Sequence, residues 1–519
     1  MLETEILIVG SGAVGARMAA ELAEAGHHVT VLEAGAGRSL DKLYSSTIWA
    51  RRLHGNFPTV VAGKDPVQGL PFINGVQQGG TALHHYAIWL RAMPEDFKVA
   101  SLYGKGLDWP IEYDDLRPFY DRVQREVGIA GDAKLEVWRP PGEAYPMPAL
   151  PTFKQGEIIA AGFEKTNRKT APVPQAINSV EYNGRPACIQ DGWCDAGCPT
   201  GALANPLVLY QERIKRGNVA LITNALVSRI RTDPSGRRAV GADFFDGKGE
   251  SQQIQAKLVI VAGYAVQTPR LLLNSTTDKH PNGLANSSGL LGRYFNVHWL
   301  SQLFGIFPQE TDNFAGRTGG QLMSEIYKRD PSRGFVCSYY WTIGGALKLA
   351  DILGIGNARA PLWGEDLTHF VEKQSKYLGS MAVAGENLPL VENRVELDSQ
   401  KDAFGVPLAK ITHRFAPDAV ACSSAALEEG KSIFSAAGAK DVWHGPTITE
   451  HLLGGVIMGK DATKSVTNSF GQTHDIENLF VAGPSLFPTA NAVNPTFTAS
   501  ALATRTSDFI HREWAGLTR

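Results

Sequence analysis

The chain has 519 residues, 43% of them hydrophobic and 20% charged, with 50 Lys and Arg against 52 Asp and Glu. This is the composition of a globular protein long enough for two or more domains, and no basic run interleaved with aromatics is present to track a nucleic acid backbone. Every apolar stretch falls short of the roughly 20 residues a bilayer-spanning helix needs, and the N-terminal MLETEILIVG has no basic region before its apolar run, so neither a direct membrane span nor an export signal is expected.

The first predicted elements are a short strand at Ile6 to Val9, a glycine turn, an alanine-rich helix, and a second strand ending at Glu33. Gly10, Gly12 and Gly15 form GxGxxG at the strand-to-helix junction. In such a turn the first glycine permits the tight bend, the second lets a pyrophosphate approach the backbone, and the third lets helix and strand pack closely. Glu33, 18 positions after Gly15, stands where an acid accepts hydrogen bonds from an adenosine ribose. The motif by itself does not separate NAD from FAD.

Residues 71–97 (PFINGVQQGGTALHHYAIWLRAMPEDF) follow no helix or strand period, and Gly79-Gly80 predicts a loop pressed against a ligand. In DWPIEYDDLRPFYDRVQREVGIAG, a proline turn leads into a short helix. Next comes ACIQDGWCDAGCPTGALANP, with Cys188, Cys194 and Cys198 spaced C-x5-C-x3-C among Gly192, Gly197 and Gly201. Three thiolates on a tight loop suit a small iron-sulfur cluster, and the missing fourth ligand favours the three-iron, four-sulfur type. Zinc would want four ligands, and a loop of buried cysteines merely covering the cofactor is the structural alternative. With five cysteines in all, an odd count, a secreted disulfide framework is not expected.

Further on, QAKLVIVAGYAVQTPRLLLNS predicts a buried strand, Gly263 and a helix starting near Pro269. Paired strands with a turn (NRVELDSQKDAFGVPLAKITHRF) and an amphipathic helix (DAVACSSAALEEGKSIFSAAGA) suit a sheet-and-helix wall. His298, Tyr339, Tyr340 and Trp341 are candidates to line a sugar site, although aromatic runs are more often core. The C-terminal block opens with EHLLGGVIMG, then gives a strand, a Gly483-Pro484 turn and a helix from about Pro495.

These motifs, together with DWPIEYDDL at 108–116 and ENRVELD at 392–398, resemble the glucose-methanol-choline (GMC) family of FAD-dependent oxidoreductases over nearly the whole chain. The resemblance implies an α/β fold: a Rossmann-like FAD-binding domain of the GMC and p-hydroxybenzoate hydroxylase type, with a second, α+β substrate domain built on an antiparallel sheet. The FAD domain would be discontinuous, from 1–90, 200–295 and 446–519, with a covering lobe at 91–199 carrying the cysteines and the substrate domain at 296–445. FAD is the implied cofactor, with Gly10, Gly12, Gly15, Glu33, Gly79, Gly80, His84, Val227, Gly263, Gly483 and Pro495 against it. His84 matches the position that carries the flavin covalently in some members; a noncovalent flavin is expected here.

In this family a histidine opening the C-terminal block and a second histidine or an asparagine project over the flavin, and here these positions match His451 and Asn494. An alcohol yields hydride only as its hydroxyl proton leaves, so a base of near-neutral pKa is needed beside the oxygen. Asn494 would donate to the alkoxide-like oxygen and orient the carbon. A His-Asn pair resembles pyranose oxidases and bacterial FAD sugar dehydrogenases. The implied activity is oxidation of a sugar or glycoside secondary hydroxyl to a keto sugar, similar to glucoside 3-dehydrogenase. Electrons would leave by the 3Fe-4S cluster on Cys188, Cys194 and Cys198, with a small subunit and a c-type cytochrome as partners. An oxygen-using oxidase of the same family and a non-catalytic electron-transfer subunit are the alternatives. The expected location is cytoplasmic, or periplasmic by co-export with a partner subunit.

Overall fold

The computed structural model describes residues 2–70 and 74–519; residues 71–73, at the start of the loop expected over 71–97, lie outside the described residues. Among the described residues, three sheets organise the fold. The first is built on the strand Leu2–Val9, flanked in parallel by Val29–Leu32 and by the long strand Ser251–Val261. Its inner residues Ile6, Leu7 and Ile8 are fully buried, as a continuous apolar run in a parallel sheet covered on both faces must be. Leu479–Val481 returns from near the C-terminus to pair in parallel with the end of Ser251–Val261, while Ala239–Phe245 and Leu226–Thr232 extend the sheet in antiparallel fashion.

This arrangement brings three strand ends to one edge: Val9, Val261 and Val481 pair or lie in adjacent strands, and Gly10, Gly263 and Gly483 follow them directly or one residue later. In open α/β sheets, ligands bind at such carboxyl edges. The helix Ala13–Glu24 leaves the first edge turn and packs against the C-terminal helix Thr496–Arg512. Arg17, fully buried, joins them through a 2.6 Å hydrogen bond from its Nε to Thr504 Oγ1.

The helix expected near Pro269 begins at Tyr264 and runs to Asn274, with Pro269 inside it. The left-handed backbone at Tyr264 (φ +69°) lets the chain turn from strand to helix at once. The expected short helix begins inside DWPIEYDD and is longer, running Tyr113–Val127 with Pro118 in its first half.

The second sheet is antiparallel and centres on Asn296–Ile306. Leu378–Glu386 pairs on one side, followed by Tyr339–Ile343, Leu322–Ser324 and Thr170–Pro172; Asp441–His444 and Ile448–Leu453 pair on the other. The amphipathic helix is Pro417–Ala436 and packs on this sheet. The expected hairpin forms as Arg394–Lys401 and Pro407–Thr412, but it is not part of that wall. It joins Thr59–Ala62 in a separate three-stranded sheet, because Arg270 of the helix Tyr264–Asn274 anchors it, bonding Asp402 and the Pro407 carbonyl at 2.7 Å each. Among the described residues, no helix is long and apolar enough to cross a membrane.

Arg329 clamps the second sheet from behind, pairing with Glu386 at the end of Leu378–Glu386 and with Asp96 at 2.6 Å. All three side chains are buried. Removing one partner of a buried ion network strands the other charges in a low dielectric. Arg329→Met is therefore expected to lower unfolding free energy by about 3–5 kcal/mol, read from the midpoint shift in urea denaturation.

Candidate functional site

A cavity of about 400 Å³ opens along the carboxyl edge of the first sheet and runs to the end of the second. At one end the GxGxxG turn lines it. Gly10 takes φ +100°, and a Cβ there would meet the Ala262 carbonyl oxygen at 2.7 Å. A Cβ on Gly15 would come within 2.0 Å of the Gly10 oxygen, whereas one on Gly12 would meet nothing within 4 Å. The three glycines thus serve a tight turn, an open approach and a close helix-strand packing, the division of labour a pyrophosphate site needs. Glu33 also faces the cavity, its carboxylate fixed by the Ser11 and Gly35 amides at 2.9 Å and the Ser11 hydroxyl at 2.8 Å. Burial raises its pKa, and these three donors oppose the shift.

Gly80, His84, Val227 and Gly263 line the middle of the cavity, and Gly483 and Pro495 its far wall. Gly79 and Gly15 stand one layer back. The GG loop is pressed against the glycine turn itself: a Cβ on Gly80 would lie 3.1 Å from the Gly12 Cα, and the Gly79 amide donates to the Ser11 carbonyl at 3.1 Å. His84 is buried, its ring stacked on His54 at 4.3 Å between centroids. Burial, with His54 and His85 nearby, depresses its pKa to about 3, so the ring is neutral.

At the opposite end His451 and Asn494 meet, 3.1 Å apart between the His451 Nε2 and the Asn494 Nδ2. Ile448–Leu453 pairs with Asn296–Ile306, which sets Glu450 opposite His298. The His298 and His451 Nδ1 atoms are then 3.0 Å apart. Tyr340, next strand but one from His298, donates its hydroxyl to the Asn494 Oδ1. With that oxygen occupied, the Asn494 amide nitrogen must face His451 and donate to its Nε2. The His451 proton therefore sits on Nδ1 and is donated to His298, while the Nε2 lone pair accepts from the Asn494 amide. Burial depresses the His451 pKa to about 4, and burial plus the neighbouring His451 holds His298 well below the ordinary value.

Sequence reasoning named His298 and Tyr340 as possible sugar contacts; both instead brace the pair, and neither lines the cavity. Tyr339 and Trp341 alternate to the other face of their strand, where both are buried and hydrogen-bond Glu429 of the helix behind. Among the cavity-lining residues that sequence reasoning missed are two acids, Glu450 and Asp195; the sequence signal for the first was an acid adjoining the histidine.

The three-iron cluster expected on Cys188, Cys194 and Cys198 finds no support in the geometry. Among the described residues, no group of three His, Cys, Asp or Glu side chains gathers to hold an ion. Left-handed turns at Gln190, Gly192, Gly197, Cys198 and Gly201 wind the loop so that its sulfurs engage locally. The Cys188 Sγ accepts from the Gln190 amide at 3.4 Å, and the Cys198 Sγ accepts from the Leu203 amide at 3.3 Å. Cys194 is buried in the apolar core. The loop also contributes Asp195 to the cavity wall.

The fold and cavity define a dinucleotide-binding oxidoreductase scaffold with a polar pair at the end of the site. The chain belongs to the GMC oxidoreductase family, whose N-terminal domain matches residues 5–300 and whose C-terminal domain matches residues 389–503. It is 31% identical to 2-methyl-1,2-propanediol dehydrogenase of Mycolicibacterium austroafricanum over 99% of this chain and 96% of that protein. It is 30% identical to the fructose dehydrogenase large subunit of Gluconobacter japonicus over 98% of each. A crystal structure of formate oxidase superposes with a TM-score of 0.72 at 14% identity, covering 99% of both chains.

The glycine geometry makes a paired prediction. Gly12→Ala fits its extended backbone (φ −67°, ψ −171°) and open surroundings, so its melting temperature should match the parent while flavin occupancy, read from visible absorbance, falls. Gly15→Ala must displace the Gly10 carbonyl and should lower both.

Proposed function

We propose that this protein is an FAD-dependent dehydrogenase that oxidises a secondary hydroxyl of a sugar or glycoside to the keto form, in the manner of a glucoside 3-dehydrogenase. What carries the reading is the hydrogen-bonded chain Tyr340, Asn494, His451, His298 at the end of the cavity. Relatives named for a diol and for fructose support hydroxylated substrates. FAD, held noncovalently, would lie along the Gly10 to Gly15 turn, Glu33, Gly80 and Gly263, and supplies the hydride acceptor. The electrons leave to an acceptor outside the chain; a small subunit and a c-type cytochrome are the proposed partners.

The protein's own part is proton and position control. The substrate hydroxyl displaces the Asn494 amide from the His451 Nε2 and gives that nitrogen its proton as the carbinol C–H bond breaks. His298, neutral and accepting at Nδ1, holds the imidazole in the tautomer that can receive it. The displaced Asn494 amide then donates to the oxygen as negative charge grows there, with Tyr340 preventing the amide from flipping. Because the base is already neutral in its resting state, no proton need be lost before substrate binds.

His451→Ala is expected to slow anaerobic flavin reduction by a glucoside about 10²- to 10⁴-fold while the protein stays yellow. Tyr340→Phe should cost about tenfold, the worth of one hydrogen bond. Unchanged reduction in the His451 variant would refute the assignment of the base. The pH profile follows from the depressed pKa: an ordinary histidine would lose its lone pair as pH falls through about 6.5, whereas His451 should keep it until pH nears about 4. The acid limb of the reduction rate, measured by stopped-flow between pH 4 and 8, should therefore lie well below 6.

A further inference from the structure

In an unbroken strand, neighbouring side chains point to opposite faces. Glu450 and His451 do not: both line the same cavity. The register of Ile448–Leu453 against Asn296–Ile306 shifts after Glu450, and His451 takes a left-handed backbone, φ +49°. A bulge that re-aims a side chain, at a non-glycine residue in a strained conformation, marks a functional position. The irregularity delivers the imidazole to the cavity and keeps the adjoining carboxyl there as well.

Glu450 has no hydrogen-bonding or ion-pair partner among the described residues, in contrast to the other two carboxyls on the cavity wall: Glu33 accepts from Ser11 and Gly35. Asp195 is neutralised by Lys348 at 3.2 Å. The hydroxyls of Tyr86, Tyr264 and Tyr340 are made harder to ionise by burial and, to a lesser degree, by the charge of Glu450. Two of them are engaged elsewhere, Tyr340 with Asn494 and Tyr264 in accepting from the Leu452 amide. With no counter-charge, burial raises the Glu450 pKa to about 7. An acceptor left without a donor inside a cavity carries a free-energy cost that a ligand can relieve.

We propose that Glu450 is a specificity-determining residue that accepts a hydrogen bond from a second O–H or N–H group of the substrate, carried close to the hydroxyl that His451 deprotonates. This rests on the proposed function and narrows it: the site selects polyols or amino alcohols over alcohols with one polar group. The adjacency in sequence sets the scale, since two consecutive residues on one wall can read two neighbouring substituents.

The test uses the flavin-loaded protein with 1,2-propanediol, 1-amino-2-propanol and 2-propanol, comparing the parent with Glu450→Leu and Glu450→Gln. The parent should prefer the two bifunctional substrates. Glu450→Leu should lower kcat/KM for them about ten- to hundredfold, mainly through KM, and change 2-propanol less than about threefold. The flavin spectrum should be unaltered. Glu450→Gln separates the two donors: preferential loss of the amino alcohol identifies an ammonium, and equal partial loss a hydroxyl. Equal losses on all three substrates in Glu450→Leu, or none, overturn the inference while leaving the proposed function standing. Failure of every alcohol and of glucosides to reduce the parent's flavin overturns the proposed function, and the inference with it.

Discussion

The pairing of Ile448–Leu453 with Asn296–Ile306 is the constraint on which the site depends. It sets His298 behind His451 and closes the far end of a cavity whose near end is made by the first residues of the chain. Without that ladder, the histidine would be a side chain on a C-terminal segment with no fixed relation to the glycine turn. The cost is local strain at His451, sustained because the strand on one side and the buried Leu452 and Leu453 on the other over-determine the backbone.

Polar order at this end of the cavity is set by a relay of single hydrogen bonds rather than by charge. Tyr340 orients the Asn494 amide, the amide addresses one imidazole nitrogen, and His298 takes up the other. Each member is neutral, in keeping with the burial that depresses both histidines. A dry, neutral relay costs far less desolvation than a buried ion pair. The ions of the second sheet, Arg329 with Glu386 and Asp96, are kept behind the wall, where they hold the strand next to His298.

The parallel sheet solves a different problem, that of assembling one ligand groove from distant pieces of chain. Gly10, Gly263 and Gly483 come together because three parallel strands end at the same edge, and parallel strands need long crossovers that separate their ends in sequence. The same logic makes the cysteine loop a wall component. Its left-handed turns satisfy sulfurs locally and present Asp195 to the cavity.

Local chemistry was legible in the sequence. Glycine spacing after a β-branched run determined the first turn, because steric limits at Gly10 and Gly15 act within a few residues; the hairpin at 394–412 and the helices at 417–436 and 496–512 followed from period and turn residues. The family followed from the order of motifs along the chain. Tertiary structure alone decided that the hairpin joins Thr59–Ala62, that His298 and Tyr340 brace the His451–Asn494 pair, and that Glu450 shares its face with His451. The reason is that these depend on strand register and on one left-handed residue. A one-residue slip exchanges the faces of every side chain in a strand, and hydrophobic pattern does not encode it where both faces are buried.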